Sequence, residues 1–96
     1  MAAMIAAGCA TSQKSSAIPI IDTHIHLYDP TRAEGVPWPP ESDKVLYKPI
    51  LTKDFDKVSD ENDVNATVIV EASKWIPDTQ WVLDLVKHDP DRYIGL

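Results

Sequence analysis

The run Ala66-Thr67-Val68-Ile69-Val70-Glu71-Ala72 constrains the fold more than any other segment of this chain. It is rich in β-branched residues, lacks polar alternation and is too short for a comfortable helix, so it reads as a strand buried on both faces. Such strands belong to parallel sheets, and a parallel pair needs a long crossover, usually a helix, to bring the chain back.

The flanking segments supply the other parts. Ile18 to Leu27 alternates, with Ile21, Thr23, Ile25 and Leu27 on one face and Asp22, His24 and His26 on the other. Thr52 is predicted to cap a helix over Lys53 to Glu61, with Phe55 and Val58 on its buried side, Asp54 in its first turn and Asn62-Asp63 at its end. Pro77-Asp78 opens a second helix, with Asp78 as the expected cap. Trp81, Leu85 and His88 lie on one side of that helix, Val82 and Val86 adjoin them, and Pro90 stops it. Asp91 to Leu96 then leads into a third strand. Strand, helix, strand, helix, strand is the order of an α/β protein, common to open sheets and to barrels.

Composition narrows the class. Apolar residues are 44% and charged residues 25%, the balance of a folded globular protein. A net charge of -6 makes nucleic acid a poor partner. No apolar run approaches the ~20 residues of a membrane-spanning helix. Cys9 is the only cysteine, which excludes an intramolecular disulfide and a cysteine-based zinc cage.

Residues 1–17 read as an export leader and polar tether, separate from the folded part at 18–96. Met1 to Ala10 is small and apolar, and Thr11 to Ser16 is polar without periodicity. Ala6-Ala7-Gly8-Cys9 resembles a bacterial lipoprotein box, in which Cys9 would carry lipid and hold the protein at a membrane or in the periplasm. No basic residue precedes the apolar run, so a true start upstream of Met1 is expected on this reading. The alternative is a cytoplasmic protein with a mis-assigned start and an unmodified Cys9.

Chemistry concentrates in His24 and His26. Imidazole is the commonest protein ligand for zinc, and residues two apart on a strand present both rings on one face. The pair ends a strand before the long loop Asp29 to Pro40, whose four prolines and one glycine exclude regular helix, and sites of parallel barrels lie at strand carboxyl ends. Asp22 is expected to orient a ligand ring or to pack below the ion. The competing reading makes the pair a polar face on a half-exposed strand.

Asp22-Thr23-His24-Ile25-His26 resembles the first-strand motif of the amidohydrolase superfamily, and Ile21 to Asp29 with Pro37-Trp38 is similar to its amidohydrolase-related, fuconolactonase-like branch. Val70 to Ser73, Trp81 to Leu85 and His88 to Arg92 follow that branch's second strand, second helix and entry to strand three. The resemblance spans Ile18 to Leu96 and implies the N-terminal portion of a (β/α)8 TIM-type barrel. It further implies that His24 and His26 bind a divalent ion, usually zinc, that activates water against an ester or amide carbonyl. The remaining ligands and the general base would come from later strands, beyond residue 96, and some lactonases of the branch work without metal. On this reading 96 residues are too few for the whole enzyme, and the chain alone is expected to be inactive.

Other candidates each carry two readings. Glu71 is either a substrate or ligand contact at a strand end or a salt-bridge partner of Lys74. Trp38 is either a ring on which a sugar stacks or a water-excluding lid. Trp75, directly after the second strand, is expected to form the opposite wall, while Arg32 either binds a substrate carboxylate or is a solvated loop charge. Trp81 reads as core, and His88 as a helix-end cation. The expected function is hydrolysis of a sugar lactone or related carbonyl ester. The alternatives are a decarboxylase or other lyase of the same barrel family, and a small exported metal-binding protein without catalysis.

Overall fold

A computed structural model describes residues 18–96. The leader, tether and Cys9 assignments lie outside the described residues. The elements run β1 (Ile21–Ile25), α1 (Thr52–Glu61), β2 (Ala66–Ile69), α2 (Ile76–Val86) and β3 (Tyr93–Gly95). The strands form one parallel sheet in the order β1-β2-β3, so each crossover helix returns the chain to the adjacent position. The chain is therefore mixed α/β, as the strand and helix rhythm implies.

Leu27, Ile69, Val82, Val86 and Tyr93 make the buried core, and Ile25, Phe55, Trp81 and Leu85 pack against it. Phe55 comes from α1 and Val82 from α2, so both helices cover the same face of the sheet. Ile69 and Val82 are 2% and 1% exposed, and burying such a side chain contributes about 1.5–3 kcal/mol. The opposite face is less covered: Ile94 is 52% exposed.

Both helix starts differ from expectation. The N-cap of α1 is Leu51, not Thr52, and the Asp54 carboxylate accepts the Leu51 backbone N–H at 2.8 Å. The N-cap of α2 is Trp75 and Pro77 lies in the first turn, where its missing N–H costs nothing. Asp78 sits deeper in that turn, 4% exposed, with its carboxylate turned to Arg32. The buried side of α1 also shifts: Val58 is 55% exposed, and Ser59 is 1% exposed. Asp63 ends α1 in the left-handed region with φ 56°, and the Val64 N–H reaches back to the Ser59 carbonyl at 2.9 Å.

The strands are shorter than the sequence pattern suggests. In β1 the pairing uses Asp22 to Ile25 against Thr67 to Ile69, one residue more than its partner. That irregularity is satisfied by side chains: Asp22 Oδ1 accepts the His24 N–H at 3.0 Å, and the Thr67 hydroxyl donates to the Asp22 carbonyl at 2.8 Å. β2 stops at Ile69 instead of Ala72; just past its end the Val70 N–H donates to the Ile25 carbonyl and the Val70 carbonyl lies 2.8 Å from the His26 ring. Among the described residues no helix is long and apolar enough to cross a membrane.

Candidate functional site

The carboxyl ends of β1 and β2 carry the candidate residues. His26 follows β1 directly, and its Nδ1 lies 2.8 Å from the Val70 carbonyl at the end of β2. A carbonyl oxygen only accepts, so this contact places a proton on Nδ1, and in the neutral ring Nε2 then carries the lone pair. The His24 ring stands 5.0 Å from that of His26, nearly perpendicular at 87°. His24 is exposed and His26 half-buried. The expectation that Asp22 orients a ligand ring is not what the geometry provides, since the described bond of its carboxylate is to backbone. The described contact to a histidine ring comes from the Val70 carbonyl.

Trp38 joins this group. Its ring lies 5.6 Å from His26 at 62° and 5.4 Å from Tyr28 at 73°, so the long loop folds back onto the strand end. Tyr28 anchors the arrangement, because its hydroxyl donates to the Leu46 carbonyl and its backbone exchanges two hydrogen bonds with Ile50. Burial, with the nearby Asp43 charge as the lesser cause, raises the Tyr28 hydroxyl above the ordinary phenol range.

Glu71 lies beside Trp38 in a narrow cleft that also involves Arg32, Ser73, Asp78 and Trp81. Its Oε1 accepts the Ser73 N–H at 3.1 Å, while Oε2 is buried without a hydrogen-bond partner among the described residues. The cleft has about 10 Å³ of free space, enough for one water and far too little for a sugar.

Arg32 is placed differently from either of its sequence readings. It pairs with Asp78 Oδ1 at 3.0 Å, with both side chains largely buried, and its guanidinium lies 4.5 Å from the centre of the Trp81 ring. This pins the loop to α2. Trp75 lines a separate open groove of about 590 Å³ with Lys74, Ile76, Pro77 and Arg32. The ring of Trp75 therefore belongs to the groove beside α2, and Trp38 to the histidine pair. His88 lies beyond α2, with Nδ1 3.1 Å from the Leu85 carbonyl and its ring 6.2 Å from that of Tyr93.

The sequence offered no sign of Val70 as the imidazole's partner, because a backbone carbonyl leaves no trace in residue type. Asp78 was legible as a polar residue at a helix start, but its pairing with Arg32 across 46 positions was not.

Two imidazoles at this spacing suit a zinc-type ion, and a ring held through Nδ1 is the usual state of a ligating histidine. The pair supplies two donors. Among the described residues no group of three His, Cys, Asp or Glu side chains is placed to hold a metal ion. Comparison of the chain with protein-family models, with curated proteins and with solved structures found no match.

Proposed function

We propose that the chain forms the first two strand-helix units of a (β/α)8-type barrel hydrolase that acts on a carbonyl ester, with a sugar lactone as the favoured substrate class. His24 and His26 would hold part of its divalent ion. The observation that carries this reading is the fixed His26 ring, with Nδ1 on the Val70 carbonyl and Nε2 free, beside a second imidazole at a strand carboxyl end.

The sheet supports it. Strands adjacent in chain order, with both helices on one face, are what a barrel requires, and the other face would turn toward the barrel interior. Parallel strands are normally covered on both faces, and the exposure of Ile94 marks a face without such cover among the described residues.

When bound, the ion would polarise the ester carbonyl and lower the barrier to attack by water. The chain's own residues then have separate tasks. His24 and His26 hold the ion, Trp38 walls the pair and excludes solvent from one side, and the Val70 carbonyl keeps His26 in the tautomer that can ligate. Glu71 offers an acceptor for a substrate hydroxyl once the cleft opens. A third ligand and a proton acceptor are required from elsewhere in the barrel.

The test, on the full-length barrel that this reading requires, is cobalt binding, read from the visible spectrum, alongside turnover of a panel of aldonolactones. His24→Ala and His26→Ala should each remove both, and His88→Ala neither. Wild-type turnover in both strand variants would overturn the ion assignment.

A further inference from the structure

We infer that Trp38 is a positioning residue for His26, holding the plane of the imidazole and tying the ion's affinity to the loop Asp29 to Pro40. The inference rests on the reading of His24 and His26 as ion ligands, but its first readout needs no ion.

A hydrogen bond to a carbonyl tolerates a broad range of approach angles. The Val70 contact alone therefore selects the tautomer of His26 but leaves the ring free to rock. A ligating nitrogen must keep its lone pair on the ion, so rocking weakens binding even when the tautomer is correct. The indole of Trp38, 5.6 Å away and inclined by 62°, removes that freedom by packing against the imidazole. This tilted arrangement is the favoured one for aromatic pairs.

Trp38 can only do this if it is itself held, and the structure holds it from several directions. Pro37 and Pro39 flank it, and Pro39 is fully buried. The Tyr28 ring packs against it at 5.4 Å, and Tyr28 is 6% exposed with its hydroxyl bonded to Leu46 at 3.0 Å. The backbone of Tyr28 is paired with Ile50 through bonds of 3.0 and 2.9 Å. His26, Trp38, Tyr28 and Ile50 thus form one connected support between the end of β1 and the approach to α1. The indole remains 37% exposed, so its free part is still available to a substrate while the rest braces the ligand.

The same support explains why the loop is latched at a second point. Arg32 on Asp78 and Trp81 fixes the early part of the loop, and Trp38 on Tyr28 fixes the late part. A shift of either anchor would be felt at the His26 ring.

The experiment uses the whole protein with histidine labelled in ¹⁵N. In metal-free wild type, long-range ¹H–¹⁵N spectra should show His26 as a single tautomer protonated on Nδ1. Trp38→Leu, which keeps apolar volume without a ring, should leave that tautomer in place but broaden the His26 ring signals as the imidazole rocks, and Trp38→Phe should restore the sharp signals. Cobalt affinity should fall about 3- to 10-fold in Trp38→Leu, the range an aromatic pair supplies, and return to within about twofold in Trp38→Phe. Trp75→Phe should move neither readout. A native circular dichroism spectrum for Trp38→Leu with unchanged His26 signals and unchanged cobalt affinity would overturn the positioning role. If wild type bound no cobalt while the sharpness of the His26 ring signals still depended on Trp38, the positioning role would stand and the ion reading would fall.

Discussion

The two ends of the sheet treat polar groups in opposite ways. At the amino end of β3, Arg92 donates to Asp56 Oδ1 at 3.1 Å, Ser59 Oγ at 3.0 Å and Asp60 Oδ1 at 2.9 Å, and the Tyr93 hydroxyl donates to Asp56 Oδ1 at 2.6 Å. These groups satisfy one another across α1 and β3. At the carboxyl rim, His24 is exposed, His26 keeps a free Nε2 on its inferred tautomer, and Glu71 Oε2 is buried without a described partner. Saturated polar clusters hold structure together, whereas a buried polar atom without a partner is costly and calls for a reason. In parallel α/β barrels the same division separates a stabilising bottom from a reactive top.

The largest effects should come from removing the histidines proposed as ion ligands at the rim. His26→Ala is expected to lower cobalt affinity by at least about 100-fold, more than loss of an outer partner of a ligand costs, with the melting temperature nearly unchanged. Spectroscopic titration and a thermal melt read both quantities. A variant that lost stability but kept cobalt affinity would place His26 with the structural end and break the comparison.

Arg92→Ala should do the reverse. Its guanidinium reaches Asp56, Ser59, Asp60 and Asp89 from a partly exposed position, and charged hydrogen bonds of this kind contribute about 1.5–3 kcal/mol before exposure reduces them. A loss of about 2 kcal/mol in denaturant unfolding, with cobalt affinity within twofold of wild type, is the expected result. Coupled loss of affinity would mean that the two ends are not independent.

Amides in place of acids sharpen the contrast. Glu71→Gln removes a charge whose Oε2 has no described partner, so stability should hold or rise by up to about 1 kcal/mol. Asp56→Asn weakens the acceptor of both Arg92 and Tyr93, so stability should fall by about 1 kcal/mol. Equal losses from both substitutions, measured by chemical unfolding, would show that Glu71 has a structural partner after all.

The sequence carried the rhythm of the fold well, because the β-branched run at Ala66 and the apolar spacing of Val82 and Val86 are periodic signals that tertiary packing preserves. It carried boundaries poorly. Thr52 and Asp78 looked like caps, but Asp54 captures the first turn of α1 from inside, and Asp78 is drawn to Arg32 from a loop 46 positions away. The histidine pair was legible from its spacing, whereas its support was not. The slip in β1, the Val70 carbonyl and the approach of Trp38 all depend on backbone geometry or on contacts across the chain, which residue type does not encode. Val58 failed for a similar reason: three residues from Phe55 is a helical neighbour, but the sheet meets α1 along Phe55 and Ser59 instead.

The smallest expected effect is a pH dependence that reports the two ends through their tyrosines. The Tyr93 hydroxyl is raised well above the ordinary phenol value of 10.0, first by burial and then by its bond to the Asp56 carboxylate and by that carboxylate's charge. Tyr28 at the rim is also raised, by burial and then by Asp43. A phenol whose value is higher in the folded state keeps its proton there longer than in the unfolded chain, so folding binds more protons in alkali. The stability each tyrosine provides is therefore fully present below about pH 10, and it is lost as pH rises from there toward the folded-state values. Unfolding free energies measured from pH 8 to 11 should be flat at first and then decline. Tyr93→Phe should lower the plateau by about 1 kcal/mol through the lost Asp56 bond and make the alkaline decline shallower. Tyr28→Phe should make it shallower to a lesser degree, since Tyr28 donates to a neutral carbonyl and has no carboxylate in direct contact with its hydroxyl. A steeper decline in Tyr93→Phe than in wild type would contradict the proposed sign of the linkage and detach Tyr93 from the saturated end.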